Sequence, residues 1–219
     1  MNKLLTAIAS FTLLAMTCAS AEIRVGAAIG FTDFEADGTE TLKTTSVKAS
    51  KSISNNVMVP GLFLELGSSD IGLYAGIQYT DVASLGQKSK IRGSDAESDN
   101  DTGVNSADAD VESLSALYLM KTIGQSGFFV KLGMASADVI TKEQLATGTT
   151  YGNASVDGLL MGAGFHKASD SGYFFRATAE HIDYDEFTLN GSTDSDGVRN
   201  VIKADVDSMA YKIAFGKSF

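Results

Sequence analysis

Apolar and polar positions alternate along most of this chain with a period of two. In the first stretch Ile23, Val25, Ala27, Ile29 and Phe31 share one face. Arg24, Gly26, Ala28, Gly30 and Thr32 share the other. A strand places successive side chains on opposite faces, so this period predicts strands rather than helices. The pattern recurs over residues 57–66, 71–82 and 111–123, and in segments opening at Phe128, Gly158, Tyr173 and Ser208. Eight strands are predicted, the first over residues 23–34. Short connections at 67–70, 124–127 and 168–171 alternate with long ones at 35–56, 83–110, 141–154 and 190–204. Lipid offers no partner to an unpaired backbone group, so a membrane sheet must close on itself. The fold class expected is all-β: an eight-stranded antiparallel transmembrane up-and-down β-barrel, with short periplasmic turns and long extracellular loops.

The same counting assigns the faces. Leu62, Leu64, Ile77, Tyr79, Leu132, Met134, Leu159, Met161, Phe175, Tyr211, Ile213 and Phe215 point to lipid. The fourth strand is ambiguous. Leu114, Ala116, Tyr118 and Met120 make its better lipid face, which leaves Leu117, Leu119 and Lys121 inside. Pro60 removes a ladder donor within the second strand and predicts a bulge there. Arg24, Glu65, Lys131, Arg176, Glu180 and Lys212 fall inside, as a lumen charge network. Arg24 and Glu65 are expected to face each other on neighbouring strands. Buried charge is expensive unless paired or hydrated. Two readings stay open: a salt-bridged plug, or a narrow water-filled channel for ions or small solutes whose excess of basic groups favours anions.

Composition narrows the class. The 219 residues are 44% hydrophobic with 22 glycines, which suits strands sharing a narrow lumen. A net charge of -10 repels phosphate backbones, so nucleic acid is not an expected partner. Residues 1–21 read as a Sec signal peptide, with Lys3, an apolar run and Ala19-Ser20-Ala21 as the cleavage site. Residues 22–219 then form one barrel domain in the bacterial outer membrane. The one cysteine, Cys18, lies in the signal; lipidation there is the alternative, and Ala15-Met16-Thr17 fits it poorly. With two histidines and no mature cysteine, no catalytic metal or thiol chemistry is expected; the chain reads as a non-enzyme without cofactor. His181 with Asp183 and Asp185 is a weak hydrolase motif lacking a matched serine. Asp99 and Asp101, and Asp194 and Asp196, are weak calcium candidates on extracellular loops, with solvated charged loops as the plainer reading. Phe128, Phe165, Tyr173 and Phe219 are expected at the periplasmic rim, and Phe31, Tyr79 and Phe187 at the outer rim.

The last strand, Met209-Ala210-Tyr211-Lys212-Ile213-Ala214-Phe215-Gly216-Lys217-Ser218-Phe219, resembles those of the small outer-membrane barrel superfamily: the OmpA transmembrane domain, OmpX, OmpW and the opacity-type surface proteins. The stretch Phe175-Arg176-Ala177-Thr178-Ala179-Glu180-His181-Ile182-Asp183-Tyr184 resembles the opacity-type penultimate strand. The resemblance implies that Tyr211, Ile213, Phe215 and Phe219 carry the signal read by the barrel-assembly machinery; Lys217 departs from that pattern. It also implies a monomer among outer-membrane lipid and lipopolysaccharide, with a structural or surface-interaction role through acidic extracellular loops. A soluble ligand-binding barrel such as a lipocalin needs an apolar interior, whereas here the charges share a face with the glycines.

Overall fold

The computed structural model describes residues 21–41, 48–81, 83–92, 103–144, 150–192 and 200–219. Cys18, the rest of the expected signal up to Ser20, and the calcium candidates Asp99, Asp101, Asp194 and Asp196 lie outside the described residues.

Among these residues ten strands make one sheet: β1 (Glu22–Thr41), β2 (Lys48–Ser68), β3 (Leu73–Thr80), β4 (Ala83–Arg92), β5 (Gly103–Thr122), β6 (Phe128–Gln144), β7 (Ala154–Ala168), β8 (Tyr173–Tyr184), β9 (Phe187–Asn190) and β10 (Val201–Ser218). Every pairing is antiparallel, in the order β1-β2-β3-β5-β6-β7-β8-β10. β10 then returns to β1 from Arg24↔Ser218 to Thr41↔Val201, which closes the barrel. β4 continues the wall of β3 along β5, and β9 continues the wall of β8 along β10. Ten segments thus build eight walls. Left-handed glycines make the short turns: Gly72 at φ 60° and Gly172 at φ 84°, values that cost other residues strain.

The walls are taller than the sequence pattern predicts. β1 runs to Thr41 and β2 begins at Lys48, so most of the expected loop 35–56 is a paired hairpin. The expected loop 83–110 likewise contains β4 and the start of β5. The reason lies in a change of chemistry without a change of period. Below Thr32, β1 turns Ile23, Val25, Ile29 and Phe31 outward and exposed. Above it the outward positions are Asp33, Glu35 and Asp37, while Phe34 is buried inside and Ala36 packs against it. β6 changes likewise, from exposed Val130, Leu132 and Met134 outside to buried Ala137 and Val139 inside. The lower barrel is apolar outside and polar inside, as a membrane demands. The upper barrel has the sidedness of a soluble protein. Short turns mark the lower end as periplasmic.

Three expectations are corrected. On β5 the inward residues are Leu114, Ala116, Tyr118 and Met120, all buried, while Leu119 is 43% exposed to lipid and Lys121 is exposed. Here the β5–β6 ladder has a bulge between Glu112 and Ser115, with Ser113 at φ 54°. One extra residue exchanges the faces below it. Pro60 makes no bulge: the β1–β2 ladder runs through Ile29↔Pro60 without a break. The β2–β3 ladder ends at Gly61↔Thr80, so Pro60 stands where β2 has ladder pairing on one side only, and a missing donor is tolerated there. Phe187 is not a rim residue. The interruption at Asp185–Glu186 turns it into the upper apolar core.

Candidate functional site

The interior is built in layers, each stocked by the inward positions of several walls. At the periplasmic mouth Arg24 Nε donates to Glu22 (2.9 Å), and its Nη2 donates to the Tyr74 hydroxyl (2.5 Å). Tyr74 donates on to Glu22 (2.8 Å), and Ser218 closes the group by donating to the same carboxylate.

Above it three inward rings, Phe63, Phe129 and Phe174, surround the Arg176 guanidinium at 4.9–5.4 Å from ring centroid to Cζ. Each ring lies over a glycine of a neighbouring wall. A Cβ on Gly26 would come within 2.3 Å of Phe63, one on Gly216 within 2.3 Å of Phe174, and one on Gly164 within 2.6 Å of Phe129. At these three glycines a ring from one wall takes the space a neighbour's side chain would fill. His166, opposite Arg176 in the β7–β8 ladder, stacks on Phe174 at 4.8 Å.

The charge layer follows. Arg176 donates from Nη1 and Nη2 to the two oxygens of Glu65 (2.6 and 2.7 Å), and Tyr118 adds a third bond to Glu65 (2.7 Å). Such a two-pronged pair is stronger and more directional than a single contact. Beside it, Glu180 accepts from Lys131 and from Lys212, both at 2.7 Å. Gln78 joins them: its amide nitrogen donates to Glu180 (3.2 Å), and its oxygen accepts from Lys131 (2.5 Å). The Lys131 ammonium also sits 3.6 Å from the Tyr118 ring centroid. Upward, Val59, Phe34, Leu160, Val139, Val156, Ile182 and Val206 fill the barrel with an apolar core.

The six charges placed inside by counting therefore lie in two connected groups and one outlier. Arg176 joins Glu65, and Lys131 and Lys212 join Glu180. Arg24 is directly opposite Glu65 in the β1–β2 ladder, yet its ion pair is with Glu22. Counting missed Tyr118, because it shares an apolar face with Leu114, Ala116 and Met120, which the bulge turns inward. It also missed the plug of phenylalanines; the doublets Phe128-Phe129 and Phe174-Phe175, one ring to each face, were the available signal. On the outer face, Tyr211, Ile213 and Phe215 are exposed, and Phe219 exchanges backbone hydrogen bonds with Ile23 at the seam. His181 is exposed outside, between Met161 and Met209 in register, and does not face the lumen.

A closed antiparallel barrel with an apolar outer belt and a polar, ion-paired interior defines the class of fold: a small transmembrane β-barrel. No family model matches the sequence, and no curated protein resembles it in sequence. Solved structures share its fold. The chain is similar to the outer membrane protein OprG from Pseudomonas aeruginosa, at 14% identity and a TM-score of 0.65, covering 91% of this chain and 96% of that one. It is also similar to the outer membrane protease OmpT from Escherichia coli, at 9% identity and a TM-score of 0.52, covering 93% and 99%. At such identities the likeness is one of fold alone.

Proposed function

We propose that this barrel is a non-enzymatic surface protein: its lower half anchors it in the outer membrane, and its upper half makes structural and surface contacts. One observation carries this reading: side chains fill the lumen, and most of them are out of reach of water. Tyr74, Glu65, Met120 and Leu160 are 0% exposed, and Phe129 and Tyr118 at most 2%. Side chains lining an open aqueous pore would touch water. An eight-stranded barrel leaves room for side chains and little else.

The upper exterior supplies the working surface. Glu35, Asp207 and Asp183 are successive cross-strand neighbours there, as are Asp37 and Asp205, and Glu112 and Asp138. Like charges placed opposite one another cost stability, so this acidic collar carries a local penalty. It stands just above the lipid belt, where it can share divalent cations with lipopolysaccharide. Replacing Asp183, Asp205 and Asp207 by Asn tests this in cells carrying the protein as their main barrel. The expected result is a smaller loss of envelope integrity when divalent cations are chelated. An unchanged response would remove the collar from the function.

The narrow channel is the second reading, favoured by a cavity of about 20 Å³ beside Lys212 in the charge layer. Conduction would require Phe63, Phe129 and Phe174 to leave their glycines.

A further inference from the structure

The charge layer does not balance. Arg176 and Glu65 neutralise each other, as do Arg24 and Glu22. Glu180 alone faces two ammonium groups, Lys131 and Lys212. Lys131 is fully engaged, by Glu180, by Gln78 and by the Tyr118 ring. Lys212 is not: among the described residues Glu180 is its one hydrogen-bond partner, which leaves two of its three donors unused. An uncompensated ammonium inside a protein is costly.

The cavity lies at this group. It is lined by Lys212, Gln78, Thr80 and Gly61 and reaches the β2–β3 wall at the outward-facing Leu62 and Tyr79, with a volume of about 20 Å³. That is room for one water or one ion of similar size. Most of its lining is apolar, and the polar side chains on it, Lys212, Gln78 and Thr80, carry donors. Lys212 has its two unused hydrogens. The Gln78 amide has a second N–H beyond the one given to Glu180. The Thr80 hydroxyl, on a residue only 6% exposed, is without a hydrogen-bond partner among the described residues. No carboxylate lines the cavity. The floor is Gly61, where a Cβ would stand 2.9 Å from Thr80 Oγ1. The space exists because no side chain occupies that position.

We propose that this cavity is a binding site for one small monovalent anion of halide size, held by Lys212, Gln78 and Thr80, which neutralises the Lys131–Glu180–Lys212 group. The ion is a resident counter-charge, and the site needs no conduction path.

The test refolds the barrel in detergent with sodium bromide and crystallises it. An anomalous bromide peak within 3.5 Å of Lys212 Nζ is expected, on the order of hydrogen-bond distance for a large anion. Thermal unfolding, followed by the heat-dependent gel shift, is expected at higher temperature in chloride or bromide than in gluconate of equal ionic strength. Lys212→Met should lose both the peak and the anion dependence. Thr80→Val keeps all the charges, and should weaken the anion dependence without removing it, which guards against a Lys212 variant that fails to fold. An ordered water in place of the peak, or melting that ignores the anion, overturns the proposal. So does a peak that persists in Lys212→Met, which would mark an adventitious ion only. A conducting wild-type barrel would overturn the closed-lumen reading yet leave this site to be judged by the bromide peak.

Discussion

Arg176 on β8 reaches across the lumen and grips both oxygens of Glu65 on β2, at 2.6 and 2.7 Å. This bond ties two walls that share no ladder, and the three phenylalanines around it keep water away. Removing one partner leaves a buried charge without compensation, at a cost of about 3–5 kcal/mol. Glu65→Gln and Arg176→Met should each lower the unfolding free energy of the refolded barrel by that order, read from denaturant titrations. The double variant should lose less than the two single losses together. Strict additivity would mean that the two residues act independently.

Gly76 is small because Tyr118 needs its place. A Cβ there would lie 2.4–2.6 Å from the Tyr118 ring and hydroxyl, with no backbone among its nearest atoms. Gly76→Ala should cost about 1–3 kcal/mol through overpacking. In a Tyr118→Leu background the same alanine should cost less, because the ring is gone. Equal costs in both backgrounds, measured by equilibrium unfolding in micelles, would show that the ring does not set the requirement for glycine.

The bulge at Ser113 makes a claim about every residue below it on β5. The one cysteine is Cys18, so a chain expressed from Glu22 onward carries none and single labels are easily placed. A fluorophore on Leu119→Cys should be quenched by a lipid-borne quencher in vesicles. One on Met120→Cys, a position 0% exposed, should label poorly in the folded state and escape quenching. The reverse pattern would restore the unbulged register.

Phe34 belongs to the upper apolar core, 2% exposed and outside the lipid belt. Phe34→Ala should destabilise by about 3–5 kcal/mol, in line with other buried phenylalanines. Hydrogen exchange should rise first in β1 and β10 above Thr32, with the lower walls still protected. Uniform loss of protection along β1 would argue that the two halves do not differ in stability.

How far the sequence reaches depends on what each residue must satisfy. The lower strands are legible because lipid outside and charge inside enforce one period and one chemistry, as from Ile23 to Phe31 on β1. The upper strands are not, because at Asp33 and Phe34 the faces trade chemistry while the period continues. A search for an apolar outer face stops there. β5 fails for a different reason. Both its faces are apolar, and the polar demand of Tyr118, a bond to Glu65 from another wall, appears only once the barrel is closed. Charges can be placed inside by counting, but their pairing cannot. Arg24 lies opposite Glu65 in the ladder, and the long Arg176 side chain still takes Glu65 from across the lumen.

The most direct test of the account is the planar-bilayer conductance of refolded barrel, taken from preparations that show the heat-dependent gel shift. A silent membrane is expected, because the phenylalanine and apolar layers leave no continuous water path. Reproducible discrete steps from the unmodified chain, altered in ion preference by Lys131→Met or Lys212→Met, would contradict it and make the charge layer a filter.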